Sequence, residues 1–292
     1  MTPGLAFVTG CSSGIGWATV EALAAAGQRV FATARRVDAI EKLRGPNVEV
    51  FPLDVDDGEA IRRAVDAATS RGPIDVLINN AGYGQMGPLT EMTRDELARQ
   101  FETNVFAVME LSKAVCNGPG GMIARRRGRI VMVSSVVSHV ATPFAGPYCA
   151  SKHALRALSD VLRLELRPFG IDVVQVEPGP IKSRFSDHAT EHARSCLAKK
   201  DTPYEPFRKA IEERLTLSQV GASPASEAAR LIVRAATAAR PRTRYVVTSQ
   251  AKQMKIAKAL LPDRTLDRSW RAGSAWSHAP RDRPDRSRRC DR

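Results

Sequence analysis

The chain has 292 residues, of which 43% are hydrophobic and 26% are charged, a balance that excludes wholesale disorder. No apolar run reaches the roughly 18–20 residues of a membrane-spanning helix, and we expect no secretion signal because the first run is early and short. The formal charge of +13 divides into +3 for residues 1–239 (29 Lys and Arg, 26 Asp and Glu) and +10 for residues 240–292 (15 and 5), which predicts a solvated basic tail rather than a nucleic-acid groove.

Seven short apolar runs alternate with helical patterns between residue 5 and about residue 247. The runs predict buried strands at residues 5–8, 30–33, 48–53, 76–78, 130–133, 173–176 and 245–247. The helical patterns cover residues 15–26, 57–70, 94–115, 148–166 and 225–239. Strand–helix–strand units at this spacing predict an α/β protein with a Rossmann-type, doubly wound parallel sheet of about seven strands.

The chain divides into one large domain and a C-terminal extension. The domain covers residues 1–250, and its long polar segment at residues 180–222 is predicted to form a helical lid over the binding site. Residues 251–271 are predicted to form a basic amphipathic helix. Residues 272–292 are rich in Arg, Asp, Pro and Ser, which predicts disorder.

A glycine-rich turn follows the first predicted strand. It has the sequence TGCSSGIG over residues 9–16 and leads directly into a helical pattern. Glycine permits a tight turn and a close approach of the backbone to a pyrophosphate, and the helix N-terminus offers free N–H groups to that anion. The turn therefore predicts a dinucleotide site formed by Gly10, Ser12, Ser13, Gly14, Ile15 and Gly16.

The end of the second predicted strand indicates which dinucleotide binds. NAD enzymes place an acidic residue about 20 residues after the glycines, where it binds the ribose 2′-hydroxyl. This chain has Arg35 and Arg36 in that neighbourhood, and the first acidic residue after the second strand is Asp38. A guanidinium pairs well with a 2′-phosphate, so NADP(H) is predicted in preference to NAD(H). The alternative is that both arginines form a solvated surface pair.

Tyr148 and Lys152 begin a long helical pattern, and their i, i+4 spacing places both side chains on one face. A fixed cation near a phenol stabilises the phenolate and lowers the phenol pKa, which suits acid–base catalysis. Ser134 and Ser135 end a predicted strand at the carboxyl edge of the sheet. A serine hydroxyl there can donate a hydrogen bond to a substrate oxygen, so these residues are the predicted catalytic group.

Several motifs occur in the order that is typical of one enzyme family. After the glycine turn come Leu53-Asp54-Val55, Asn79-Asn80-Ala81-Gly82, Asn104, Ser135, the Tyr148/Lys152 pair and Pro178-Gly179. From residue 5 to about residue 248 the chain resembles a single-domain short-chain dehydrogenase/reductase with TGxxxGxG and YxxxK motifs. Its motif details are most similar to the hydroxysteroid and retinol dehydrogenase branch.

The resemblance implies a role for each catalytic residue. Tyr148 is expected to be the general acid in carbonyl reduction and the base in alcohol oxidation. Lys152 is expected to bind the nicotinamide ribose and to tune Tyr148, while Ser135 orients the substrate oxygen. Asn104 is expected to hold a water in a proton relay. The family spacing from serine to tyrosine selects Ser135 over Ser134.

The resemblance also extends the cofactor site. Asp54 is expected to bind the adenine amine, and Asn80 is expected to lie beside a ribose. Residues 178–183 are expected to close over the nicotinamide, with Ser183 in a position where threonine is usual. The implied contacts are Asp54, Val55, Asn80, Ala81, Gly82, Tyr148, Lys152, Pro178, Gly179, Ile181 and Ser183.

The predicted function is the NADP(H)-dependent interconversion of a ketone or aldehyde and an alcohol by hydride transfer. The predicted lid carries apolar residues that favour a steroid-, retinoid- or lipid-like small molecule: Phe185, Leu197, Tyr204, Pro206 and Phe207. The alternative is a non-catalytic dinucleotide-binding sensor or scaffold. The family implies a homodimer or homotetramer, but residues 116–121 add about three residues beside a helix that usually joins the dimer interface.

Three other patterns can be explained without a further functional site. His188 and His192 have the HxxEH spacing of some zinc peptidases, but a solvated lid helix explains them and no metal site is predicted. The five cysteines form no CxxC pair, which favours a reducing, cytoplasmic location. The lysines around residues 254–261 suit an anionic membrane, but we expect this helix to pack across the substrate mouth instead. No specific nucleic-acid partner is predicted.

Overall fold

Seven parallel strands form the central sheet. The computed structural model describes residues 4–118, 120–183, 185, 202–208, 212 and 221–272. Its strands are β1 (Leu5–Val8), β2 (Arg29–Ala34), β3 (Val48–Pro52), β4 (Ile74–Asn79), β5 (Gly128–Val133), β6 (Ile171–Glu177) and β7 (Arg244–Val246). They lie in the order β3-β2-β1-β4-β5-β6-β7, and every neighbouring pair is parallel. The predicted Rossmann-type sheet is therefore confirmed, with a strand at each predicted position.

Helices cover both faces of this sheet. The described α-helices are α1 (Gly14–Ala25), α2 (Gly58–Thr69), α3 (Arg94–Phe101), α4 (Ala107–Asn117), α5 (Met122–Arg125), α6 (Gly146–Leu166), α7 (Ala225–Thr237), α8 (Ser249–Leu260) and α9 (Asp263–Ala272). On one face α1 and α7 pack against the strands through buried side chains such as Leu23 and Ile232. On the other face α2, α4 and α6 contribute Ile61, Leu111 and Leu155. Burial on both sides explains why the strands are continuously apolar.

The single helix predicted at residues 94–115 is interrupted in the structure. α3 begins with a capping box between Thr93 and Glu96 and ends at Phe101. Residues Glu102–Phe106 then form a π-helical turn before α4 begins. A π turn contains one extra residue and changes which side chains face inward, and here it buries Thr103 and Asn104. A regular 3.6-residue periodicity cannot predict such an insertion.

The C-terminal extension begins with two helices in place of the single helix predicted at residues 251–271. β7 leads into α8, and a break at Pro262 separates α8 from α9. Proline disfavours helical geometry at the residue before it, which accounts for the break. No helix within the described ranges is long and apolar enough to cross a membrane. Most of the predicted lid, and the predicted disordered tail from residue 273, lie outside the described residues.

Candidate active site

A cleft of about 1300 Å³ lies along the carboxyl ends of the strands. Its walls are formed by the glycine turn before α1, by residues that follow the strands, by the start of α6 and by α8. The predicted site residues that line it are Gly10, Ser12, Ser13, Gly14, Ile15, Arg35, Asp54, Val55, Asn80, Ala81, Gly82, Ser135, Tyr148, Lys152, Pro178, Gly179, Ile181 and Ser183. The remaining three, Gly16, Arg36 and Asn104, are not part of its lining.

The turn between β1 and α1 has the shape of an anion cradle. Gly10 and Gly14 have φ angles of +70° and +58°, and a Cβ on Gly10 would lie 2.8 Å from the Ala81 Cα. α1 has no side-chain cap at Ser13 and no acidic residue in its first turn. Its N–H groups and the positive end of its dipole therefore fit a pyrophosphate. Gly16 does not line the cleft. A Cβ on Gly16 would lie 2.6 Å from the Asn80 Nδ2.

Thr9 and Asn80 hold this turn against the end of β4, a pairing that the sequence analysis missed. The Thr9 Oγ1 accepts hydrogen bonds from the Asn80 and Ala81 N–H groups at 3.0 and 2.9 Å. The Asn80 Nδ2 donates to the Thr9 and Gly10 carbonyl oxygens at 2.9 and 3.1 Å. Asn80, which is expected beside a ribose, thus also fixes the backbone that would hold the phosphates.

Arg35 and Arg36 have different surroundings. Arg35 lines the cleft near the end of β2. Arg36 is paired with Asp38 through its Nε at 3.1 Å and its Nη2 at 2.5 Å, and its side chain is 78% exposed. This ion pair raises the pKa of Arg36 and lowers the pKa of Asp38. Of the two guanidiniums predicted to recognise a 2′-phosphate, only Arg35 faces the cleft.

Tyr148 lies at the start of α6, and Ser135 lies just after β5. The Ser135 Oγ accepts a hydrogen bond from the Val137 N–H at 3.3 Å and donates one to the Pro178 carbonyl oxygen at 3.4 Å. Burial raises the pKa of Tyr148 to about 12, although Ser135 acts in the opposite direction. The phenol is therefore protonated at neutral pH.

Lys152 lies one helical turn after Tyr148. Its Nζ is 6.0 Å from the Tyr148 ring centroid and donates a hydrogen bond to the Val133 carbonyl oxygen at 3.0 Å. Burial lowers the pKa of Lys152 to about 8. The sequence led us to expect that Lys152 lowers the pKa of Tyr148. That expectation stays a prediction; in the structure burial raises the phenol pKa.

The two serines at the end of β5 are distinguished by their contacts. Ser135 is a group that lowers the pKa of Tyr148, whereas the Ser134 Oγ is buried without a hydrogen-bond partner among the described residues. Both line the cleft. The geometry thus favours Ser135 over Ser134 as the residue that acts together with Tyr148.

Asn104 lies in the π-helical turn and uses both of its amide hydrogens within the protein. Its Nδ2 donates to the Tyr83 carbonyl oxygen at 3.0 Å and to the Ser151 Oγ at 3.1 Å. Its Oδ1 accepts from the Tyr83 N–H at 3.1 Å. The side chain therefore fixes the loop after Gly82 against α6, and it has no further hydrogen to donate to a relay water.

The described lid residues contribute two aromatic contacts, one of them beside Tyr148 in the cleft. The Phe185 ring centroid is 5.3 Å from that of Tyr148. Tyr204 contacts Phe144 edge-on at 6.4 Å and shares a hydrogen bond of 3.0 Å with Thr90. Of the other predicted lid residues, Leu197 lies outside the described ranges and Pro206 is exposed. Phe185 thus places an apolar ring beside Tyr148, whereas Tyr204 and Phe144 are not part of the cleft lining.

A buried carboxylate at the end of β6 was not predicted. Glu177 follows a run of apolar residues and receives hydrogen bonds from His139 at 2.9 Å and from Lys255 of α8 at 3.2 Å. The Arg244 Nε of β7 is 3.6 Å away. Burial by itself would raise the pKa of Glu177, but these partners outweigh it and the pKa is lowered. An acidic residue inside an apolar strand is the sequence signal that marks such a site.

The described residues contain no group of three or more metal-binding side chains. His188 and His192, which have the spacing of a zinc site, lie outside the described residues. The three cysteines that the structure describes, Cys11, Cys116 and Cys149, are buried free thiols.

The parallel sheet, the glycine-lined helix N-terminus and the Ser135–Tyr148–Lys152 group together define a dinucleotide-dependent oxidoreductase. The sequence profile of the short chain dehydrogenase family matches residues 4–194. The chain therefore belongs to this family. The resemblance to its hydroxysteroid and retinol dehydrogenase branch stays a prediction.

Known relatives cover nearly all of the chain. It is 36% identical over 263 residues to the uncharacterized oxidoreductase YbbO of Escherichia coli strain K12, covering 89% of this chain and 91% of that protein. It is 35% identical over 274 residues to the NADPH-dependent 3-dehydrocapnine reductase of Ornithobacterium rhinotracheale, covering 90% and 94%. A short-chain dehydrogenase from Streptomyces avermitilis has a similar structure, with a TM-score of 0.76 at 31% identity, covering 93% and 97%. The protein is an enzyme that binds a dinucleotide and acts on a small molecule.

Proposed function

We propose that the protein is an NADPH-dependent carbonyl reductase that acts on a fairly apolar ketone or aldehyde. The observation that carries this proposal is a buried, protonated phenol, Tyr148, that lies in the cleft with Ser135 and Lys152 and with the Phe185 ring centroid 5.3 Å away. A phenol that is protonated at neutral pH can supply the proton that reduction requires, and the Lys152 ammonium beside it would lower the phenol pKa toward the range in which proton transfer is efficient. The same residues can catalyse alcohol oxidation in the reverse direction.

The proposed mechanism uses the side chains in a fixed order. The Tyr148 Oη gives its proton to the substrate oxygen, to which Ser135 donates a hydrogen bond as negative charge develops. A bound nicotinamide supplies the hydride. The Lys152 ammonium, 6.0 Å from the Tyr148 ring centroid, then stabilises the phenolate that remains. Asn104 is a positioning residue that fixes the Gly82–Tyr83 backbone beside this group.

The proposal for the cofactor depends on Arg35. Its guanidinium lines the cleft after β2, where it can pair with a ribose 2′-phosphate. The relative from Ornithobacterium rhinotracheale is named as NADPH-dependent, which supports the same preference. Asp54 and Val55, which we propose contact the adenine end of the cofactor, line the cleft, as do Pro178, Gly179, Ile181 and Ser183, which we propose close over the nicotinamide.

We also propose a division of the chain and an assembly. Residues 1–250 form the catalytic domain, and the C-terminal helices and tail are additions to it. The enzyme is a homodimer or homotetramer. Support comes from α6, whose outer face exposes Leu158, Val161 and Leu164.

The first experiment is a pair of fluorescence titrations with NADPH and with NADH, which requires no knowledge of the substrate. We expect NADPH to bind at least about tenfold more tightly, a difference of about 1.4 kcal/mol. Equal or reversed affinities would contradict the assignment to NADPH. Binding of neither would contradict the dinucleotide site itself.

The second experiment tests the proton donor. Tyr148→Phe removes the hydroxyl and keeps the ring, so ketone reduction should fall by at least about two decades while NADPH affinity stays nearly unchanged. Turnover and cofactor binding are measured on the same preparation. Unimpaired turnover would refute the role of Tyr148.

A further inference from the structure

The outer face of α8 exposes large apolar side chains at the edge of the catalytic cleft. Ile256, Leu260 and Leu261 are 58%, 75% and 43% exposed. The opposite side of the same helix is engaged with the protein, since Ala251 is fully buried and Met254 lines the cleft. α8 thus separates the interior of the cleft from an apolar surface that no described residue covers.

The charges on this surface are mostly positive, although Asp263 and Asp267 of α9 are also exposed and Asp263 is paired with Lys258 of α8. Lys252, Ile256 and Leu260 have i, i+4 spacing and share one face of α8, and Lys252 is exposed. Arg264 and Arg268 of α9 are also exposed. They belong to the segment from residue 240 to residue 292, which carries 15 Lys and Arg against 5 Asp and Glu.

Aliphatic side chains among exposed cations fit one kind of partner better than others. A helix with lysines beside leucine and isoleucine can place the apolar side chains below the headgroups and the ammonium groups at the anionic lipid phosphates. A nucleic acid would pair with the cations but would leave Ile256 and Leu260 without apolar contact. An acidic protein surface has the same limitation unless it also offers an apolar groove.

We propose that α8 and α9 form a docking surface for an anionic lipid bilayer. Ile256, Leu260 and Leu261 enter the interface, while Lys252 and Arg264 contact lipid phosphates. We expected from the sequence that this helix packs across the substrate mouth. In this proposal one face of the helix packs against the cleft and the opposite face contacts the bilayer. The docking does not depend on the proposed reductase activity. An apolar substrate dissolved in the bilayer would nevertheless lie next to the helix that borders the cleft.

Vesicle flotation of the full-length protein tests the proposal. The probes are vesicles of phosphatidylcholine alone and vesicles of phosphatidylcholine mixed with phosphatidylserine. The protein carries bound NADPH in both assays. We expect binding to the mixed vesicles that weakens as salt is added. Ile256→Ser together with Leu260→Ser should lower the affinity at least about tenfold, because apolar contact with the bilayer is lost.

Charge variants provide a matched comparison. Lys252→Glu with Arg264→Glu should abolish binding to the mixed vesicles. Arg230→Glu with Arg234→Glu changes the net charge by the same amount on the exposed side of α7 and should leave binding unchanged. NADPH affinity is measured for every variant, so a folding defect is separated from a loss of docking.

Three results would overturn the proposal. One is an absence of binding to either kind of vesicle. Another is undiminished binding of the Ile256→Ser/Leu260→Ser variant, which would assign the attraction to the basic tail alone. The third is a concentration-dependent dimer that this variant dissociates, which would show that a second copy of the chain covers the surface. Failure of Tyr148→Phe to lower turnover would affect the proposed function and not this inference.

Discussion

Arg35 and Arg36 are adjacent in the sequence, yet the fold places them in different environments. The first faces the cleft, while the second is held at the surface by Asp38. Asp38, the first acidic residue after the two arginines, thus neutralises Arg36. Of the two adjacent arginines, Arg35 is thus the one that lines the cleft and is left to bind a 2′-phosphate.

This difference predicts unequal effects of the two substitutions. Arg35→Ala should weaken NADPH binding at least about tenfold with little change for NADH, because a hydrogen bond to a charged group contributes about 1.5–3 kcal/mol. Arg36→Ala is the matched control and should leave both affinities nearly unchanged. Fluorescence titration measures all four values. Equal losses for the two variants would contradict the assignment.

Lys152 should make the stability of the protein depend on alkaline pH. Its pKa is about 8 in the folded chain and near 10.5 when unfolded, so between these values the unfolded state binds more protons. The free energy of unfolding should therefore rise with pH over this range, with a slope of up to about 1.4 kcal/mol per pH unit from this group. Urea unfolding from pH 8 to pH 10 measures the slope.

Lys152→Met provides the comparison for that slope. The variant removes the titrating amine, so its stability should rise less steeply than that of the wild type across the same range. Subtracting one curve from the other cancels groups common to both, including the buried thiol of Cys11, whose pKa burial raises to about 12. Parallel curves would show that Lys152 is not desolvated in the folded protein.

The sequence could predict residues that act through their own chemistry. The glycine turn, Tyr148 and Lys152 were recognisable because their spacing is local and their residue types are constrained. The partners of Asn104 could not be predicted, since they are the Tyr83 backbone and Ser151, 21 and 47 positions away. Such pairings depend on how the elements pack, which periodicity does not specify.

Among the elements, β6 is notable because it ends in a buried acidic residue, Glu177. Glu177 brings together His139 from the segment after β5, Arg244 from β7 and Lys255 from α8. These partners approach from three different parts of the chain. The buried carboxylate thereby connects the wall of the cleft to the C-terminal helix.

Glu177→Gln should destabilise the protein. It keeps the volume of the side chain and removes the charge, leaving Lys255 without its described partner, while Arg244 keeps its ion pair with Asp160. Removal of one partner from a fully buried pair costs about 3–5 kcal/mol, and we expect about 2–3 kcal/mol here because Lys255 and Arg244 are partly exposed. Urea unfolding at pH 7 measures the loss. Lys255→Met should cost less, since His139 and Arg244 remain; a larger loss would contradict this view of the cluster.

The same cluster predicts a response to acid. The pKa of Glu177 is lowered, so its contribution to stability is present at neutral pH and is lost as the pH falls through that lowered value. The wild type should therefore approach the stability of Glu177→Gln in acid. The π-helical turn shows why some details of the elements cannot be predicted from periodicity: it changes which side of the helix faces inward, whereas the break at Pro262 has a signal in the sequence, the proline itself.

At the scale of the whole molecule, exposed apolar side chains indicate where copies of the chain would associate. The outer face of α6 exposes Leu158, Val161 and Leu164, and Phe106 at the end of the π-helical turn is 55% exposed. Patches of this kind mark interfaces between proteins. Their position on α6, which also carries Tyr148 and Lys152, would place the catalytic helix at the centre of a dimer.

Val161→Glu combined with Leu164→Glu should convert the expected dimer or tetramer to smaller species. Burying two carboxylates in an apolar interface is unfavourable, so association should weaken by several decades. Analytical ultracentrifugation measures the distribution. Leu260→Glu, which changes an exposed leucine of α8, is the control and should leave it unchanged. A monomeric wild type would contradict the proposed assembly.

The late position of β7 and α8 in the chain has a consequence for synthesis on the ribosome. A nascent chain that ends near residue 240 already contains Tyr148, Lys152 and the first six strands, but it lacks Arg244 and Lys255. Glu177 then has His139 as its described partner, and its burial is poorly compensated. The core is therefore expected to stay loose until the last fifth of the chain emerges, so truncated products should be open to proteolysis rather than persist as inactive copies.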